Sequence, residues 1–247
     1  MRYSGLSDIG NVREANEDYY EIVDMGYPDK PIFFMLADGM GGHNAGEVAS
    51  RSAVEYALRY IKDNEQELFW TDSNKIMDSM EKILKESNDA LRQIAHANSE
   101  CDGMGTTFIF ACIFNDKMYV CHVGDSRAYI VRKGSITHIT QDHSYVEELI
   151  KLGQITREQA EDHPSKNVIT RAIGIDETVD VDKYNVDLEN EDTVVLCTDG
   201  LSNELSDSEI LDAVANNPDT QNACEVMISK ANKQGGEDNI TVIVIKL

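Results

Sequence analysis

Short apolar runs of strand length, two of which lead straight into an Asp-Gly pair, constrain this chain more than any other feature. Residues 31–37 run into Asp38-Gly39-Met40-Gly41-Gly42-His43, and residues 194–197 run through Thr198 into Asp199-Gly200. A run of this length and composition reads as a buried strand, and one that stops on Asp-Gly brings a carboxylate to the edge of a sheet. Further runs cover 106–114, 118–123, 128–131 and 240–245, with Asn115-Asp116 as a hairpin turn between the first two. Hairpins make the pairing antiparallel.

Helical periodicity fills the intervals. Ala49, Ala53, Tyr56, Ala57 and Tyr60 recur on one face of 47–62, and Ile76, Met80, Ile83, Leu84, Leu91 and Ile94 do so over 75–97. Residues 207–216 and 220–233 also read as helices. Strands, a helical pair, hairpin strands, an irregular insert, then strands and helices again predict an α+β fold. Its architecture is a four-layer α-β-β-α sandwich, two central and mostly antiparallel sheets flanked by helices.

The 247 residues are 41% hydrophobic, enough for one large core, and with four prolines, no linker and no internal repeat they predict one domain over 1–247. Against 22 basic residues stand 45 acidic ones, a net charge of −23, so the average surface repels nucleic acid and anionic membrane. No apolar signal core or membrane-length span occurs, which predicts a cytoplasmic protein. Five cysteines (Cys101, Cys112, Cys121, Cys197, Cys224) have no C-x-x-C spacing and read as buried, reduced thiols rather than disulfides or a zinc site.

The acidic segments carry the chemistry. Asn16-Glu17-Asp18, Asp38-Gly39, Asp199-Gly200 and Gly236-Glu237-Asp238-Asn239 each set aspartate beside glycine or asparagine. Carboxylates on tight turns are hard ligands suited to Mg²⁺ or Mn²⁺, and two such ions activate water against a phosphate ester. Any one Asp-Gly is ordinarily a turn; two at strand ends shift the balance toward a shared site. Asp125, in Gly124-Asp125-Ser126-Arg127, reads equally as a turn with an Asp–Arg contact. Arg13 is a candidate phosphate ligand, since a guanidinium grips phosphate in bidentate fashion. His43 is the best placed of six histidines to protonate a leaving oxygen; His96 and His138 read as surface or edge residues, and His122 as a strand residue.

Taken in order, Arg13-x-x-Asn16-x-Asp18, Asp38-Gly39-Met40-Gly41-Gly42-His43, Gly103-x-Gly105-Thr106-Thr107, Gly124-Asp125-Ser126-Arg127, Thr140-x-Asp142-His143-Ser144, Thr198-Asp199-Gly200 and Gly236-x-Asp238-Asn239-Ile240-Thr241 form a set. That set resembles the metal-dependent protein phosphatases of type 2C in their compact bacterial form, from about Gly5 to the C-terminus. The resemblance implies a two-metal centre of Mn²⁺ or Mg²⁺ held by Asp38, Asp199, Asp238 and the Gly39 carbonyl, with Asp18 bound directly or through water. It implies a third ion at Asp125, phosphate binding by Arg13 and proton donation by His43. Glu17 and Asp18 remain alternatives for the position nearer the metal.

The resemblance further implies direct attack of a metal-bridging water on phosphoserine and phosphothreonine, a mobile flap over 145–168 in which His163 shapes the loop, and phosphoprotein substrates with a cognate serine/threonine kinase as partner. The protein is expected to act as a monomer. Two alternatives are a catalytically weak phosphoprotein-binding module, whose signature would be lost ligand carboxylates, and a nuclease or small-molecule phosphohydrolase on the same chemistry. The retained carboxylates disfavour the first, and the chain's acidity disfavours nuclease work.

Overall fold

A computed structural model describes residues 1–26, 30–42, 45–64 and 73–247. One sheet has the order β1 (Arg2–Asp8), β11 (Ile240–Lys246), β10 (Thr193–Cys197), β7 (Arg127–Arg132), β8 (Ser135–His138). The other has the order β2 (Asp18–Asp24), β3 (Ile32–Met40), β5 (Phe108–Phe114), β6 (Lys117–Val123), β9 (Asp182–Asp187), with the two-residue β4 (Gly105–Thr106) pairing the end of β3. All these pairings are antiparallel.

The two-residue period of the strands divides the apolar side chains among three layers. Phe34, Leu36, Ile109 and Val120 of the second sheet meet Ile130, Val194, Leu196 and Ile243 of the first, filling the space between the sheets. Their sequence neighbours Phe33, Met35, Phe108 and Phe110 face outward and are covered by α1 (Ala45–Asp63) and α2 (Ser73–Ala97). Tyr129, Val195, Val242 and Val244 are covered in turn by α6 (Asp207–Asn216) and α7 (Thr220–Gln234). The result is the four-layer α-β-β-α sandwich expected from the sequence.

Asn115 and Asp116, at φ 49° and 55°, form the tight turn between β5 and β6. Both central residues are left-handed, the turn whose twist matches a hairpin. The strands that the apolar pattern did not reveal are β1, β2, β8 and β9, the edges of the two sheets. Edge strands carry polar residues, and β9 alternates half-buried with exposed along its whole length. The insert after residue 144 contains two short helices, α3 (Tyr145–Lys151), capped by Ser144, and α4 (Arg157–Glu161), capped by Thr156 in a capping box.

Small residues let α1 lie close on the second sheet. Ala45, Gly46, Ala49, Ala53 and Ala57 form its buried face. A Cβ on Gly39 would stand 2.0 Å from the Gly46 carbonyl oxygen, so the helix start and the end of β3 are in backbone contact. Enlarging that face should force the helix off the sheet. Ala49→Leu is expected to lower stability by about 1–3 kcal/mol in denaturant unfolding, whereas Arg51→Leu, on the exposed side, should change it by less than about 0.5 kcal/mol.

Candidate metal centre

Register brings the first two carboxylates together. Asp18 at the start of β2 pairs directly with Asp38 near the end of β3. Strand alternation places both on the face that carries Tyr20, Ile22, Phe34 and Leu36, at the rim of the layer between the sheets. From the opposite sheet, Thr198 and Thr241 reach across, and both hydroxyls donate to Asp18 Oδ2, at 2.9 and 2.7 Å. Asp18 Oδ1 is buried and has no hydrogen-bond partner among the described residues.

Asp38 lies within β3 rather than beyond it, because β4 extends the pairing to Gly39 and Met40. Its backbone is gripped on both sides: its N–H donates to Thr107 Oγ1 at 3.0 Å, and its carbonyl accepts from the Thr107 N–H at 2.9 Å and the Thr106 hydroxyl at 2.8 Å. Asp199 is the first residue of the one-turn helix α5 (Asp199–Ser202), and its Oδ2 accepts from Asn203 Nδ2 at 3.0 Å. Asp38 and Asp199 are within electrostatic reach of each other.

Asn239 joins the remaining loops. Its buried side chain donates to the carbonyls of Ile9 and Ala15, both at 2.9 Å, and accepts from the Glu17 N–H at 2.8 Å. The loop bearing Arg13 is thereby fastened to the loop bearing Asp238, and Arg13 Nη2 pairs with Asp238 Oδ2 at 2.7 Å. Gly200 has to be glycine, since a Cβ there would stand 2.0 Å from the Asn239 carbonyl oxygen. Asp125 occupies the turn between β6 and β7, 8% exposed and within electrostatic reach of Asp199.

Five aspartates are thus gathered at one end of the sandwich. Burial, and then mutual repulsion, push four of these carboxyls up: Asp18 to about 7 despite the two threonine hydroxyls, Asp38 and Asp125 well above the usual range, and Asp199 upward under the added influence of Asp238. Burial also raises Glu17, whose side chain lies against Gly46 rather than between the sheets. Of the nearby cations, Arg13 is paired with Asp238, and Arg127 is bound in bidentate fashion by Asp142 at 2.7–3.1 Å.

Hard oxygen donors, an excess of buried negative charge and an orphaned carboxylate oxygen fit divalent cations. Among the described residues, no three such side chains close round a single point, Asp238 being turned toward Arg13. A groove of about 620 Å³ leads away from Asp125 and Asp199, between α3, α4 and the stretch 202–208.

The model of the family described as "Protein phosphatase 2C" matches residues 12–240. The chain belongs to the protein phosphatase 2C family. It is 35% identical to the protein phosphatase PhpP of Streptococcus pneumoniae, over 100% of this chain and 98% of that one. The structure of the S. agalactiae serine/threonine phosphatase superposes with a TM-score of 0.91 at 35% identity, covering 100% of this chain and 99% of that one. The catalytic domain of PstP, solved with two manganese ions, superposes with a TM-score of 0.83 at 33% identity, covering 98% of this chain and 96% of that one.

For this family member, the sequence reading picked out Arg13, Asp18, Asp38, Gly39, Asp125, Asp199 and Asp238, and the fold brings all seven to one end of the sandwich. His43 lies outside the described residues. Thr198, Thr241, Thr107 and Asn239 escaped assignment as supports. Each stands in one of the motifs, but a threonine at a strand end has an ordinary reading as a β-former.

Carboxyls raised by burial stay protonated more readily in the folded than in the unfolded chain, so they stabilise the fold at low pH and cease to do so as pH rises through their folded values. Chelator-treated protein should therefore lose on the order of a few kcal/mol between pH 5 and 8 by chemical denaturation. Asp18→Asn should flatten that slope; a slope left unchanged would exclude Asp18 as its source.

Proposed function

We propose that this chain is a metal-dependent protein serine/threonine phosphatase, with its catalytic site at the aspartate-lined end of the sandwich. The observation that carries the reading is the convergence of Asp18, Asp38, Asp125, Asp199 and Asp238 in a member of this family, with Asp18 Oδ1 buried and unpartnered among the described residues. Asp38, Asp199, Asp238 and the Gly39 carbonyl are the ligands of a two-ion core, Asp18 borders it from β2, and Asp125 serves a third ion. When bound, such ions lower the pKa of a coordinated water to about 7 and supply a nucleophile for direct attack on phosphorus.

The protein's own residues do the rest. Arg13, half exposed and anchored beside Asp238, is placed to hold phosphoryl oxygens and to offset the charge that develops on them. Thr198 and Thr241 orient Asp18, while the Asp38 backbone, clamped by Thr106 and Thr107, fixes both the Asp38 carboxylate and the Gly39 carbonyl next to it. His43 has the chemistry to protonate the departing serine or threonine oxygen. The insert at 145–168 acts as a flap over the groove, on a single catalytic domain spanning 1–247. Its substrates are phosphoserine and phosphothreonine proteins, the products of a serine/threonine kinase, and Mn²⁺ or Mg²⁺ is the working ion.

Mn²⁺ added to metal-stripped protein should support phosphate release from a phosphothreonine peptide, and full turnover in excess chelator would exclude the metal reading. Asp238→Asn is expected to lower kcat at least ~100-fold with little change in the melting temperature in chelator. Arg13→Ala should raise KM for the peptide about tenfold or more, and Arg13→Lys should restore only part of that loss, because lysine lacks the bidentate fork.

A further inference from the structure

The strap Thr140–Ser144 lies against the turn that carries Asp125, and His143 makes its closest join. The His143 N–H donates to the Gly124 carbonyl at 2.8 Å, while its ring Nδ1 accepts from the Gly124 N–H at 3.0 Å. Gly124 sits at φ 110°, with Thr107 Cβ only 2.5 Å from where a Cβ would be, so the turn's shape is tightly determined. The same strap holds the residues that follow, Thr140 Oγ1 accepting from the Ala128 N–H at 3.0 Å and Asp142 binding Arg127.

On the other side, the strap closes the base of the insert. Thr170 N–H donates to the His143 carbonyl at 2.8 Å, Tyr145 N–H donates to the Val168 carbonyl at 2.7 Å, and Ser144 bridges to Ile169. His143 therefore bonds the Asp125 turn on one side and Thr170, just past the end of segment 145–168, on the other.

The hydrogen bonds dictate the ring's tautomer. A nitrogen that accepts an N–H carries no proton, so the proton of a neutral ring lies on Nε2, 3.2 Å from Asp182 Oδ2. Arg171 Nη1 lies 3.0 Å from Nε2, but its donors go to Asp182 Oδ1 at 2.7 Å and the Asp180 carbonyl at 3.2 Å. A second proton would have to sit on Nδ1, against the Gly124 N–H, and would charge a ring whose other nitrogen faces that guanidinium. The fully buried His122 ring stacks on His143 at 4.9 Å between centroids. It serves as a neutral aromatic wall, its pKa pushed down by burial to about 3.

We infer that His143, as the Nε2–H tautomer, is a positioning residue that fixes the Asp125 turn and ties it to the base of segment 145–168. Its effect on the reaction rests on the reading of Asp125 as a ligand.

Two measurements test it. In two-bond ¹H–¹⁵N spectra of the wild-type protein in chelator at neutral pH, His143 should show an unprotonated, pyridine-type Nδ1 and a protonated Nε2; an Nδ1–H tautomer or an imidazolium overturns the inference. His143→Asn keeps an acceptor near the Nδ1 position, and His143→Gln keeps only a group near Nε2. Titration calorimetry should find Mn²⁺ affinities of the Asn variant within about twofold of wild type. The weakest-bound Mn²⁺ should bind ~10-fold or more weakly to the Gln variant, with kcat lowered and KM for the peptide unchanged. Equal affinities in the two variants overturn the positioning role. Wild-type protein that takes up no Mn²⁺ would overturn the metal reading of the centre alone, and the tautomer spectrum judges His143 independently of it.

Discussion

Negative charge gathered at the end of a β-sandwich needs something to hold it there. Asp18 and Asp38 are directly opposed across β2 and β3, an arrangement of like charges that ordinarily weakens a sheet. The apolar layer behind them, continuous from Phe34 and Leu36 to Leu196 and Ile243, supplies the burial that keeps the two sheets in place. Since carboxylates cannot join that layer, the sandwich ends where they begin. Its last rung is polar: Asp18 Oδ2 receives hydroxyls from both Thr198 and Thr241 of the other sheet. One oxygen is thereby used to close the core, and the other is left without a partner among the described residues.

The same division explains what could be read from the chain. The central strands announced themselves because they are buried on both faces, as β5 and β10 are along their full length. The edges did not, since β2 and β9 alternate or mix polar with apolar residues. Asp38 and Asp199 were legible as strand-end carboxylates, but nothing in a linear sequence says that Asp18 faces Asp38; that is a matter of register. Thr198, Thr241 and Asn239 act by reaching across the gap between sheets or loops, and such contacts have no signature in spacing. The roles proposed for these carboxylates came from the ordered motif set rather than from any single segment.

Glycine has a comparable cross-chain meaning here. Gly39 lies against the Gly46 backbone and Gly200 against the Asn239 carbonyl, each at 2.0 Å from a hypothetical Cβ. Turn formation alone would not require glycine at either position, for neither has a left-handed φ. What excludes a side chain is the approach of a second segment that carries acidic neighbours: Glu17 beside Gly46, Asp238 beside Asn239. The glycines of the Asp-Gly pairs therefore set how closely the carboxylates can be packed together.

Support around the centre is also uneven. Asp18 and Asp38 sit on paired strands, and their displacement would require the sheets to part. Asp125 sits on a turn whose shape depends on hydrogen bonds from the strap at 140–144, outside the main ladders. Segments held mainly by such bonds open at lower free energy than paired core strands. The strap continues directly into α3 through the Ser144 cap and receives the returning chain at Ile169 and Thr170. The Gly124–Asp125 turn and the base of the insert thus share one strap of hydrogen bonds, whereas Asp18 and Asp38 are held by the ladder of their own sheet. A centre built this way has a rigid part set by the core and a compliant part set by the strap, and the groove adjoins Asp125 of the compliant part together with Asp199.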